Sequence, residues 1–122
     1  MGSSRALTLR RSSDFLKIRT QGKRITATQW LIVGYLPTQS EILRWGCTIS
    51  GKVGNAVIRN RLKRWCREYF RHASTEGSSA DINLVFRPSA NAAFYKEIDK
   101  TELFHALDRG YSKLQKALCD AS

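Results

Sequence analysis

The sequence predicts one small mixed α+β domain, and three observations predict it. The chain has 122 residues, enough for one ordinary core and too few for two. Two segments, Ile58 to Phe70 and Phe104 to Leu118, carry apolar residues at the helical period, while Thr28 to Leu36 and Leu43 to Ser50 carry strand patterns. These segments follow one another without an internal repeat or a second hydrophobic block.

Met1 to Leu7 reads as a disordered or loosely tethered lead. Ser12-Ser13-Asp14 offers a helix N-cap, and Phe15 and Ile18 stand at i, i+3, so a short helix is expected over 12–20, stopping near Gly22. Thr28 to Leu36, rich in β-branched and aromatic side chains and closed by Pro37, reads as a strand. Beyond the polar turn Thr38 to Glu41, Leu43, Trp45, Cys47 and Ile49 alternate with Arg44, Gly46, Thr48 and Ser50. These two strands read as an antiparallel pair with its apolar face buried. The face carrying Gly46, Thr48 and Ser50 is small and polar, which suits either a solvated sheet face or one kept low so that a polymer can lie on it.

The loop Gly51 to Asn55 leads into a helix over 56–73, with Ile58, Leu62, Trp65, Cys66, Tyr69 and Phe70 on one stripe. A Ser/Gly loop (Ser74 to Ser79) precedes a strand from Asp81 to Arg87, ended by Pro88. An amphipathic helix over 97–118 closes the chain, with Gly110 as its weak point.

Composition narrows the function. Hydrophobic residues make up 42%, an ordinary globular share, but 21 Lys and Arg against 10 Asp and Glu give a net charge of +11. Such an excess opposes compaction by self-repulsion and points to a polyanionic partner. No apolar run approaches the ~18 residues a membrane helix needs, and the N-terminus lacks the apolar stretch of a secretory signal. Cys47, Cys66 and Cys119 are odd in number and widely spaced, which fits free thiols in the cytoplasm better than a disulfide framework or zinc site. His72 and His105 are isolated, so no protein-held metal site is expected.

The charge concentrates on the long helix. Asn60, Lys63, Arg64, Arg67 and Arg71 fall on one arc opposite the apolar stripe, flanked by Arg59 and Arg61. From Lys52 to Arg71 there are seven basic residues and one acid, Glu68. Like charges at i, i+4 destabilise a helix, and a merely solvated face intersperses carboxylates. The pattern reads as a rail of guanidinium groups, each a planar fork suited to phosphate, with Asn60 able both to donate and to accept. About six phosphate contacts would lose ~10³-fold in affinity between roughly 50 and 200 mM salt. No carboxylate pair, H-E-x-x-H, nucleophile elbow or complete phosphate loop accompanies the rail, so no catalytic residue is assigned.

Val53-Gly54-Asn55-Ala56-Val57-Ile58-Arg59-Asn60-Arg61-Leu62-Lys63-Arg64, followed by Arg67-Glu68, resembles the protein subunit of bacterial ribonuclease P. Asp14-Phe15 and Gly22, Arg44-Trp45-Gly46 through Ser50 into Lys52, the strand ending Arg87-Pro88 and the closing helix extend the resemblance over residues 7–118. It implies a ribosomal-protein-like two-layer α/β sandwich ordered helix, three strands, helix, strand, helix. It also implies an extra strand near Lys23 to Thr26 and a left-handed crossover, a hand rare among βαβ units.

The function implied is assistance to a catalytic RNA that removes the 5′ leader of precursor tRNA, with Mg²⁺ held mainly by the RNA. By the family pattern Arg59, Asn60, Arg61, Lys63, Arg64 and Arg67 face the catalytic RNA. The single-stranded leader would lie in a cleft matched by Phe15, Arg19, Leu31 and Val33, with Ser50 to Lys52 at its edge. Arg19 stands where an aromatic residue is common, and Gly51 where many relatives carry Lys. No DNA, membrane or obligate protein partner is implied. A ribosome-associated or RNA-chaperone module would share the basic face, but the R-N-R-L-K-R context favours ribonuclease P. A DNA-binding regulator would need a recognition helix with a supporting turn and usually a dimer seam.

Overall fold

The periodic segments form the elements their periods indicate, while the order of strands in the sheet departs from expectation. The computed structural model describes residues 6–75 and 78–120. Its strands are β1 (Leu7–Thr8), β2 (Lys23–Thr26), β3 (Leu31–Pro37), β4 (Arg44–Ile49) and β5 (Ala80–Phe86). Its helices are α1 (Ser12–Gln21), α2 (Ala56–His72), α3 (Phe94–Glu97) and α4 (Lys100–Asp120). One sheet runs in the order β1-β4-β5-β3-β2.

The expected pairing of the strands around Thr28–Leu36 and Leu43–Ser50 does not occur, because β5 lies between them. β3 runs antiparallel to β5 from Leu31↔Phe86 to Pro37↔Ala80. β4 runs parallel to β5 from Arg44↔Asp81 to Ile49↔Phe86, and α2 connects the two. Ala80 to Leu84 are all buried, and a strand shielded on both faces belongs in the middle of a sheet rather than at an edge.

Local chemistry explains the shifted boundaries. Thr28 Oγ1 accepts hydrogen bonds from the backbone N–H of Trp30 (3.2 Å) and Leu31 (3.0 Å), so Thr28 to Trp30 form a turn ahead of β3. β2 occupies Lys23–Thr26 and pairs antiparallel with β3, matching the extra strand that the resemblance implies. Ser12-Ser13-Asp14 does not cap α1: the N-cap is Arg11, without a side-chain hydrogen bond, and the three residues lie inside the first turn. The final helical segment is split, and Asp99 Oδ1 caps α4 by accepting from Glu102 N–H at 2.8 Å.

The expected lead also needs correction where it is described. Leu7 N–H donates to Leu43 O (2.8 Å) and Leu9 N–H to Trp45 O (2.7 Å), making Leu7–Thr8 a short parallel edge strand on β4. Met1 to Arg5 lie outside the described residues.

The core lies on one face of the sheet. Leu31, Val33 and Tyr35 of β3, Trp45 of β4, and Ile82, Leu84 and Phe86 of β5 meet Leu62, Cys66, Tyr69 and Phe70 of α2 and Leu103, Leu107 and Leu114 of α4. The Trp45 and Phe70 rings stack with centroids 5.0 Å apart. Gly110, rather than weakening α4, lets it approach the sheet: a methyl group there would sit 2.9 Å from Val33 Cγ2 and 3.0 Å from Ala27 Cβ. On the opposite face the paired positions are Arg44, Gly46 and Thr48, then Asp81, Asn83 and Val85, then Leu36, Gly34 and Ile32. α1 covers only part of that face.

Candidate nucleic-acid interface

Two surfaces of different construction flank the molecule. The first is the outer arc of α2. Its N-terminus is fixed by Asn55, whose Oδ1 accepts from Ile58 N–H at 3.0 Å, leaving a first turn without acidic residues. The helix buries Leu62, Cys66, Tyr69 and Phe70 against the core. With that stripe fixed inward, Asn60, Lys63, Arg64, Arg67 and Arg71 are exposed along the opposite arc, and Lys52 is exposed in the preceding turn. The single acid of the stretch does not interrupt the arc, because Glu68 is paired with Lys100 Nζ at 3.2 Å.

Arg59 and Arg61 differ from the others. Both are half-buried. Arg59 Nε donates to Gly54 O at 3.2 Å. Arg61 Nη2 donates to the carbonyls of Tyr95 (2.5 Å) and Lys96 (3.0 Å), and its guanidinium carbon lies 5.0 Å from the centre of the Trp65 ring. The two arginines therefore tie the helix to the 54–55 turn and to α3. Arg61 belongs as much to the packing of α2 as to its charged face.

The second surface is a groove of about 410 Å³ beside α1, lined by Ser12, Phe15, Leu16, Arg19, Cys47 and Thr48. The Phe15 ring on its wall lies directly against the sheet because residue 46 has no side chain: a methyl group on Gly46 would overlap that ring. Phe15 is half-buried on the wall, while Arg19 is exposed and Leu16 is 49% exposed. Thr48 Oγ1 donates to Asn83 Oδ1 at 3.0 Å, which fixes the polar floor.

Of the cleft residues expected from the family pattern, the structure brings Phe15 and Arg19 together. Ser50 is exposed just beyond β4, outside the groove lining. Leu31 and Val33 do not belong there: they are 0% and 2% exposed and face α2 and α4 on the other side of the sheet. Successive side chains of a strand alternate faces, so a one-residue shift in assigning the face exchanges the groove for the core. On β3 the residues on the groove side of the sheet are Ile32, Gly34 and Leu36. Thr48 stood on the small polar face noted in the sequence. Leu16 carried no signal, since an exposed leucine beside a buried position looks like ordinary amphipathic scatter.

The titratable groups behind these surfaces are structural. Burial raises the Tyr95 phenol to about 12, and it raises Tyr69 and Tyr111 as well. Tyr95 OH donates to Arg87 O, Tyr69 OH donates to Asp108 Oδ1 (2.7 Å), and Tyr111 OH donates to Ser78 Oγ (2.9 Å). A hydrogen bond to Cys47, followed by burial, pushes the Cys66 thiol up, and none of Cys47, Cys66 and Cys119 is in a disulfide. Among the described residues no group of three or more His, Cys, Asp and Glu side chains is placed to hold a metal ion. No helix among them is long and apolar enough to cross a membrane.

A small basic α+β domain with a cationic arc on α2 and a groove beside α1 is the class of architecture that the fold and these surfaces define. The chain matches the Ribonuclease P family model over residues 4–113 and belongs to that family. It is similar to the ribonuclease P protein component of Citrifermentans bemidjiense, with 39% identity over 101 residues covering 83% of this chain and 85% of the relative. The component from Clostridioides difficile is 35% identical over 103 residues, covering 83% and 90%. The solved ribonuclease P protein of Thermotoga maritima superposes with a TM-score of 0.73 at 28% identity, covering 89% of this chain and 96% of that one. As a ribonuclease P protein component, the chain takes part in tRNA processing alongside an RNA partner.

Proposed function

We propose that this chain binds the catalytic RNA of ribonuclease P through the outer arc of α2 and the 5′ leader of precursor tRNA through the groove beside α1. The observation that carries the reading is the arc itself: Lys52, Asn60, Lys63, Arg64, Arg67 and Arg71 exposed in one run, with Glu68 drawn away by Lys100. Exposed guanidinium forks in a row suit the negative charge and oxygen acceptors of a phosphate backbone. The groove offers what an unpaired strand uses, an aromatic ring, an apolar side chain and a guanidinium around a low polar floor.

In this reading hydrolysis of the phosphodiester belongs to the RNA, which holds the Mg²⁺, and the protein acts in the cytoplasm. The chain's own contribution is to neutralise phosphates and hold the leader, reducing the Mg²⁺ that the RNA and substrate need to approach each other. The test is cleavage of a leader-bearing precursor by a matched catalytic RNA at low Mg²⁺. Adding the chain should raise the rate strongly there and weakly at high Mg²⁺. Cleavage by the polypeptide alone, or no effect of adding it, overturns the proposal.

A further inference from the structure

The groove keeps its shape only while α1 holds its place over the sheet, and apolar packing alone fixes that helix weakly. Ile18 is its one fully buried residue. Phe15 is half-buried, and the helix N-cap has no side-chain hydrogen bond. A second set of contacts crosses the same face. Arg44, the first residue of β4, donates from Nε to Asp81 Oδ1 (2.8 Å) and from Nη2 to Asp81 Oδ2 (2.5 Å), a bidentate fork. The same Nη2 lies 3.5 Å from Asp14 Oδ1. Asp14 is in the first turn of α1, adjacent in sequence to Phe15, and its side chain is 18% exposed. Asp81, buried on β5, is held in register with Arg44 by the β4–β5 ladder.

We infer that Arg44 is a positioning residue for the leader groove: fixed to the sheet by Asp81, it holds Asp14 and thereby sets where α1 presents Phe15 and Arg19. This inference rests on the groove being the leader site. A fork pinned by Asp81 has its orientation settled before it meets Asp14, so the guanidinium defines a point in space for α1. Two carboxylates surround one guanidinium, which leaves the cluster with a net negative charge. Arg44 is therefore unsuited to gripping a phosphate itself. The hydrogen bond that Arg44 donates to Asp81 also raises the Arg44 pKa, in keeping with a guanidinium committed to that partner.

The experiment uses the reconstituted holoenzyme with Arg44→Met, Arg44→Lys, Asp14→Asn and Phe15→Ala chains. It measures affinity for a leader-bearing precursor, affinity for mature tRNA, and affinity of each chain for the catalytic RNA. Arg44→Met should lose about tenfold in leader-dependent affinity, comparable to removing one stacked base contact. Arg44→Lys, which keeps charge but not the fork, should recover part of that loss, and Asp14→Asn should lose about threefold. Affinity for the catalytic RNA should stay within about twofold, because none of these residues lies on the α2 arc. Equal losses for leader-bearing and mature RNA overturn the inference, as does a full leader effect in Asp14→Asn and Arg44→Met when Phe15→Ala loses it. If Arg44→Met fails to fold, Asp14→Asn decides alone. A full leader effect in Phe15→Ala removes the groove reading, and the positioning role falls with it.

Discussion

The α2 arc and the α1 groove sit on one small protein but are built in opposite ways. The arc is local: one helix, one inward stripe and one N-cap at Asn55 place five side chains from Asn60 to Arg71 on the outside. The groove is assembled from α1, β4 and β5 through the Phe15–Gly46 contact, the Thr48–Asn83 hydrogen bond and the Arg44–Asp81–Asp14 network. A local surface survives loss of a neighbour, since helix geometry continues to aim its side chains. A surface spread over three elements depends on the spacing between them. Substitutions on the arc should therefore change charge and leave the fold alone, whereas substitutions around the groove should change shape.

The largest effect should come from the arc. Arg64→Gln together with Arg67→Gln should weaken binding to the catalytic RNA by about tenfold or more, and lower the slope of log affinity against log salt by about two. Both side chains are exposed, so the thermal midpoint should hardly move. Arg61→Gln sharpens the contrast within the same helix. Its guanidinium serves the Tyr95 and Lys96 carbonyls, so this change should lower the thermal midpoint more than it changes the salt slope. Titration at three salt concentrations alongside thermal denaturation separates the two behaviours. A salt slope equal to wild type in the double variant would remove the arc from the interface.

Legibility follows the same division. The 3.6-residue period of Leu62, Cys66, Tyr69 and Phe70 fixed which way α2 faces, and with it the arc, without knowledge of any other element. Strand order could not be read that way. Nothing local in Ala80–Phe86 says that it separates β3 from β4, because its insertion depends on the parallel return through α2. Leu31 and Val33 were expected in the cleft from the family resemblance alone, and local pattern could not correct it: alternation shows that two residues share a face but not which helix covers it. The β1 strand is legible only as two main-chain hydrogen bonds to Leu43 and Trp45, a signal that leaves no trace in residue type.

A smaller effect, confined to the groove, should follow from filling the space above Gly46. Gly46→Val puts a branched side chain where the Phe15 ring lies, and overpacking of this kind costs about 1–3 kcal/mol. The ring must then leave the wall, so affinity for leader-bearing precursor should fall more than affinity for mature tRNA. Binding of the catalytic RNA should keep its salt slope. Pairing Gly46→Val with Phe15→Ala should restore part of the stability without restoring leader affinity, as denaturation midpoints and the two binding measurements would show. Equal falls for both RNAs would mean that the substitution disturbs the whole sheet.

The smallest effect concerns the sealed side of the sheet and appears only in strong base. Burial raises Tyr95 to about 12, whereas an unfolded tyrosine titrates near 10. The folded chain therefore keeps a proton that the unfolded chain gives up. The resulting stability is complete below pH ~10 and is lost as the pH rises towards 12. Tyr69 and Tyr111, also raised by burial, act in the same direction. Urea midpoints should fall across that window, and Tyr95→Phe should flatten part of the fall while lowering the midpoint at neutral pH through loss of the hydrogen bond to Arg87 O. Tyrosinate absorbance should rise together with unfolding; tyrosinate formation complete before any loss of structure would show that these phenols are not sealed. Because all three hydroxyls belong to helices packed around the core, the transition should report the closed face and leave the groove-side contacts, which are built on carboxylates and a guanidinium, unaffected until the chain unfolds.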